Sequence, residues 1–107
     1  MKILTRAEEL VLMAIWRLQE QAYSLLIQKQ IQDLSGEKWS LGTIYAPLER
    51  LEKRDYITSY LSETTPRRGG RHKRIYQLTT DGKAALIQIK KVHESFWDNT
   101  PLIVESK

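Results

Sequence analysis

Apolar residues recur with a helical period through the first part of the chain. Ala7, Leu10, Val11, Ala14, Ile15 and Leu18 fall three or four positions apart and predict a first helix. Thr5 followed by Glu8 has the form of a capping box, and Glu8 and Glu9 suit the positive end of the helix dipole. A second apolar set, Leu12, Met13 and Trp16, lies off the main stripe. Such a helix must be covered on more than one side, either by another subunit or by Trp16 closing the edge of the core. Gln19 to Ala22 break the pattern as a loop. Tyr23-Ser24 then opens a second helix with Ser24 as its N-cap, burying Leu26, Ile27, Ile31 and Leu34 and ending at Ser35-Gly36.

A third helix begins after Ser40, with a stripe of Leu41, Ile44, Tyr45, Leu48, Leu51 and Glu52. Pro47 interrupts it, so the helix is either kinked there or regular only from about Ala46. Lys53, Arg54 and Asp55 close it. Tyr56–Leu61 and Arg74–Thr79 are rich in β-branched and aromatic residues and predict two strands, joined through Pro66, Gly69 and Gly70 as a hairpin. Ile75 and Gln77 are expected on one face of the second strand, Tyr76 and Leu78 on the other. A fourth helix runs from Thr80 or Asp81 to about Asp98. Within it Leu86, Ile89, His93 and Phe96 make a short a/d seam flanked by Ala85, Val92 and Trp97. The expected organisation is a domain over 1–80, a C-terminal helix over 81–98 and a frayed tail over 99–107. The fold class is mainly α with a small β-hairpin, a winged helix-turn-helix of order α-α-α-β-β-α.

Charge sharpens this picture. The chain of 107 residues carries 17 Lys and Arg against 13 Asp and Glu. Five of the cations, Arg67, Arg68, Arg71, Lys73 and Arg74, lie between Pro66 and Arg74 with no acid among them; the remainder is 12 basic against 13 acidic. The basic character is therefore one segment of the hairpin loop. It reads either as a polyanion contact, with nucleic-acid phosphate the obvious candidate, or as a solvated loop that aids solubility.

Catalysis is poorly provided for. There is no cysteine, and the two histidines, His72 and His93, have no ligand spacing around them. No nucleophile–base pairing or phosphate-binding glycine loop is visible, so no enzymatic activity, cofactor or metal is expected. The longest apolar run, Leu10 to Trp16, is too short for a membrane span, and the opening residues lack the features of a signal peptide. A soluble cytoplasmic domain is expected.

Helices two and three with the hairpin behind them give the third helix a job. Its N-terminus offers free N–H groups and a positive dipole end, and Ser40, Gly42 and Thr43 are small enough for close approach to a backbone or base edge, with Lys38 just before them. The hairpin would place Arg67, Arg68, Arg71 and Lys73 at the neighbouring groove or phosphates.

These residues carry a family resemblance. Leu4-Thr5, Glu8 to Ile15, Tyr23, Gly42-Thr43-Ile44-Tyr45, Leu48-Glu49-Arg50-Leu51-Glu52, Arg68-Gly69-Gly70-Arg71 and Tyr76-Gln77-Leu78-Thr79-Thr80-Asp81-Gly82 resemble, in order and spacing, the PadR family of winged-helix transcriptional regulators. Ser24 and Asp55 stand where that family commonly has glycine. The single last helix resembles the small subfamily without a large C-terminal domain.

The resemblance implies a homodimeric DNA-binding repressor on a pseudo-palindromic double-stranded operator. Thr43 and Tyr45 would be groove and phosphate contacts, and Gly69 and Gly70 the wing tip. Tyr45 also falls on the apolar stripe, so a core role stays open. The implied dimer joins the fourth helix of one copy to the first helix of the other, through Leu12, Met13, Trp16, Leu86, Ile89, His93 and Phe96. Members of the family often answer to small aromatic compounds. Trp16, Phe96 and Trp97 are the candidates to line such a site, against the alternative of a packed interface without a cavity. A second function of another class is a winged-helix module whose basic loop docks an acidic protein.

Overall fold

The computed structural model describes residues 3–62 and 72–104. The elements are α1 (Arg6–Leu18), a 3-10 turn (Gln19–Gln21), α2 (Ser24–Ser35), α3 (Leu41–Lys53), β1 (Ile57–Leu61), β2 (Arg74–Leu78) and α4 (Thr80–Trp97). The fold is the expected one, mainly helical with one two-stranded antiparallel hairpin running from Ile57 opposite Leu78 to Leu61 opposite Arg74. The loop carrying Arg67, Arg68, Gly69, Gly70 and Arg71 lies outside the described residues.

Local chemistry explains the boundaries. The Thr5 hydroxyl accepts from the Glu8 N–H at 3.1 Å, and the Thr5 N–H donates to Glu8 Oε1 at 2.8 Å, completing the capping box. Gly36 ends α2 in the left-handed region at φ 79°. Asp55 takes the same role after α3 at φ 59°. There the Tyr56 N–H donates to the Leu51 carbonyl and the Asp55 N–H to the Glu52 carbonyl, the two bonds of a Schellman motif. Aspartate tolerates this conformation better than most residues, so the chain manages without glycine.

Three expectations are corrected. The N-cap of α2 is Tyr23, without a side-chain cap, and Ser24 is the first helical residue. Leu34 is exposed rather than buried. Pro47 sits buried inside an unbroken α3, so the helix does not begin at Ala46. On the second strand Ile75 and Tyr76, which alternation sets on opposite faces, are both buried, and Gln77 is exposed.

One core holds these elements together. Val11, Leu12 and Ile15 of α1 meet Ile27 and Ile31 of α2, Ile44, Leu48 and Leu51 of α3, and Ile57, Tyr76 and Ile89 from the hairpin and α4. The hairpin is fastened to the body by the Tyr76 N–H, which donates to the Ala22 carbonyl at 2.8 Å. Beyond Ile89 no described α4 residue is buried. The radius of gyration is 16.0 Å, against about 13 Å for a compact domain of this size. The end of α4 and the segment after it, exposed throughout from Lys90 to Val104, extend from that body.

Candidate nucleic-acid interface

The first turn of α3 is held open by its own cap. Ser40 Oγ accepts from the Thr43 N–H at 3.2 Å and shares a 2.9 Å hydrogen bond with the Thr43 hydroxyl. Leu41 and Gly42 N–H groups precede the first intrahelical donor, so they point outward with the positive end of the dipole. Lys38, Ser40, Gly42 and Thr43 are all exposed. Pro47 has no N–H, so the Thr43 carbonyl lacks its usual helical partner.

Tyr45 is 49% exposed, which removes the alternative of a core tyrosine. Its hydroxyl shares a 3.2 Å hydrogen bond with Ser24 Oγ at the start of α2. Lys73 lies at the loop end of the hairpin, just beyond the Leu61–Arg74 pair, with its ammonium 4.1 Å from the centre of the Tyr23 ring. The uncapped N-terminus of α2, Tyr23, Ser24, Tyr45 and Lys73 thus form one surface beside the first turn of α3. Sequence reasoning missed Tyr23 and Ser24 as members of it, because Ser24 has the look of a simple N-cap. Arg74 donates to Ser59 Oγ across the hairpin at 2.9 Å, and Ser59 donates on to Glu52 at 3.0 Å. Burial raises the pKa of the neighbouring Tyr76, and the Glu52 charge adds to that, partly offset by Arg74.

The helix behind this surface is anchored by a buried ion cluster. Glu8 is only 1% exposed, and its Oε2 lies 3.6 Å from both Arg50 Nε and Arg54 Nη1. Burial pushes the carboxyl up, but the Thr5 hydrogen bonds and the Arg54 and Arg50 charges together outweigh it and hold the pKa below its ordinary 4.5. Arg50 is therefore turned to Glu8, with its side chain still half-exposed; Lys53 stays on the surface, 3.4 Å from Glu49.

On the opposite side, α1 and α4 enclose an open groove of about 640 Å³ lined by Met13, Trp16, Arg17, Lys83, Leu86, Ile87, Ile89, Lys90 and His93. The set of residues assigned to dimer contact divides here. Leu12 is fully buried and Ile89 nearly so in the chain's own core, and Leu86 packs partly against it. Leu12 is thus unavailable to a partner, because it falls on the inner side of α1. Met13 and Trp16 face the groove. His93 stands at its rim, 3.5 Å from Glu9. Phe96 and Trp97, 76% and 62% exposed, lie outside it on the projecting end of α4. Trp16 is thus separated, within one copy, from the two aromatics expected to share a ligand site with it. Among the described residues no cluster of His, Cys, Asp or Glu could hold a metal ion, and no helix is long and apolar enough to cross a membrane.

Comparison with known proteins places this geometry. Residues 11–88 match the model of the transcriptional regulator PadR-like family. A PadR family transcription regulator from Clostridium difficile R20291 is similar over 86% of this chain and 90% of its own, at 34% identity and a TM-score of 0.67. RosR of H. salinarum shares the fold at 22% identity and a TM-score of 0.71, over 94% of this chain and 83% of its own. A PadR-like transcriptional regulator of Bacillus cereus ATCC 14579 does so at 24% identity and 0.69, over 83% and 82%. No curated protein matches the chain.

Proposed function

The chain belongs to the PadR-like family of transcriptional regulators, and from that premise we propose that it is a cytoplasmic, homodimeric repressor that reads a pseudo-palindromic operator. The observation that carries the reading is the Ser40-capped first turn of α3, with Gly42 and Thr43 exposed on it and Lys73 and Tyr45 on the surface beside it. In this reading α3 enters the major groove. Thr43 approaches the base edges, and Tyr45, Lys38 and the α2 N-terminus meet phosphates. Arg67, Arg68 and Arg71 supply backbone contacts around the Gly69-Gly70 wing tip.

Residues 1–80 form the reader and 81–98 the dimerisation helix, with 99–107 as a tail. Met13, Trp16, His93 and Phe96 form the interface, with Leu86 at its edge; Leu12 and Ile89 belong to the core. The groove between α1 and α4 accepts the partner's projecting helix, which brings Phe96 and Trp97 toward Trp16. A small aromatic effector entering there would loosen the dimer and release the DNA.

Selection of bound sequences from a random duplex library at about 150 mM salt tests the reading. An inverted repeat is expected, with half-sites about 34–36 Å apart or a multiple of that. Neutralising about four phosphates per copy gives a log–log salt slope near −7, and Arg67, Arg68 and Arg71 changed together to Ala should flatten it. Recovery of no motif, with binding that vanishes as salt rises, would contradict operator reading and favour an acidic protein partner.

A further inference from the structure

We propose that Glu8 is the positioning residue of the DNA-reading helix. Its buried carboxylate fixes the rotation of α3 against α1, and so where Thr43 and Tyr45 meet the groove. The proposal rests on the reading of α3 as the recognition helix.

The contact between the two helices is otherwise apolar, Val11, Leu12 and Ile15 against Ile44, Leu48 and Leu51. The hydrophobic attraction behind that packing is non-directional, and a buried charge adds to it a constraint that depends on where its partners stand. Glu8 is the only charged side chain buried among the described residues. Its two oxygens are divided between two tasks. Oε1 accepts from the Thr5 N–H and is tied to the start of α1, which leaves Oε2 facing α3. Oε2 and Arg54 Nη1 are both buried, and neither has another hydrogen-bond partner. They face each other at 3.6 Å, with Arg50 Nε at the same distance from Oε2.

Arg50 and Arg54 are one turn apart on one face of α3. A rotation of that helix by about 20° moves its surface by about 2 Å and carries both guanidiniums off the carboxylate. The same rotation displaces Thr43 and Tyr45 by a similar amount at the other end, enough to lose a hydrogen bond to a base edge. A buried ion cluster is a poor source of stability compared with apolar residues of the same volume. What it adds is a preference for the rotation of α3 that keeps both guanidiniums against the carboxylate.

The test uses purified full-length protein carrying Glu8→Gln, which keeps the shape and an acceptor for the Thr5 N–H. Affinity is measured for the duplex recovered by selection and for a scrambled duplex of equal length, with thermal unfolding confirming that the variant is folded. The expected result is a loss of tenfold or more on the selected duplex, with scrambled-duplex affinity unchanged or slightly raised. An unchanged ratio between the two duplexes overturns the proposal.

Arg50→Gln, at a half-exposed position, decides the matter where Glu8→Gln does not fold. Its ratio should fall severalfold with the salt slope intact, because Glu8 rather than a phosphate faces Arg50. An unchanged ratio, or a slope reduced by about 0.9, makes Arg50 a phosphate contact or a bystander and overturns the proposal. Wild-type protein without preference for the selected duplex would overturn the recognition-helix reading itself, and this inference with it.

Discussion

Changing Gly82 to Ala sets two physical effects against each other. Alanine is the better helix former by about 1 kcal/mol, and Gly82 lies inside α4. A Cβ built at this position would, however, stand 2.0 Å from the Tyr56 carbonyl oxygen and 3.0 Å from its carbon. Both are backbone atoms of the turn after α3, so no side chain can swing aside. The start of α4 would have to retreat by more than about 1 Å. That retreat would strain the Thr79 N–H bond to the Tyr56 carbonyl at 3.0 Å and the Thr79 hydroxyl bond to the Asp55 carbonyl at 2.5 Å. Each is worth about 1 kcal/mol, and loosened packing of Ala85 and Ile89 costs about 1 to 2 more. After the gain in propensity the net loss is about 2 to 3 kcal/mol, or about 10–20 °C in Tm for a domain of this size. Thermal unfolding at one fixed protein concentration measures it, so that any self-association weighs equally on both proteins. Gly42→Ala is the control. Its Cβ would meet only Ser40 Oγ at 3.8 Å, so it should be neutral or stabilising. A Gly82→Ala chain that unfolds at or above the wild-type temperature refutes the argument.

Other expectations concern the same joints. Glu8 has a depressed pKa in the folded chain, so its stabilising contribution is present above 4.5 and is lost as pH falls below that value through the lowered folded one. The urea midpoint of Glu8→Gln should therefore vary less than that of wild type between about pH 5 and 3; equal variation would show that Glu8 does not carry this acid sensitivity. Asp55→Gly should raise stability by up to about 1 kcal/mol, because the left-handed C-terminal position suits glycine, whereas Asp55→Val should lower it by about 1 to 3. Urea unfolding of the pair checks the opposite signs. Ser40→Ala should cost about 1 kcal/mol through loss of the α3 cap, read by the same method.

Much of the fold is legible because its signals are local. The Thr5–Glu8 capping box, the Ser40 cap, the left-handed Gly36 and Asp55, and the helical spacing of α1 and α3 each depend on residues within a few positions of one another. What escaped depends on tertiary partners. Leu12 lies off the apolar stripe of α1 on a helical wheel, yet the elements packed around α1 cover it widely enough to bury it in the common core. The a/d seam of α4 divides, since Ile89 meets the chain's own core while Phe96 lies beyond the body. Arg50 belongs to the polar face of α3 by periodicity, and only the approach of α1 gives it a buried carboxylate. Ser24 looks like a cap in sequence and becomes a hydrogen-bond partner of Tyr45, because α2 and α3 meet at their N-termini.

The claim that α3 reads the operator in a two-fold dimer is tested most directly by repeating the random-duplex selection with Thr43→Val. The variant keeps the volume of the side chain and removes its hydroxyl from the exposed first turn. The account predicts an inverted repeat of unchanged spacing with the preferred base altered at one symmetry-related position in each half-site. Recovery of the wild-type motif, unaltered in both halves, would contradict it.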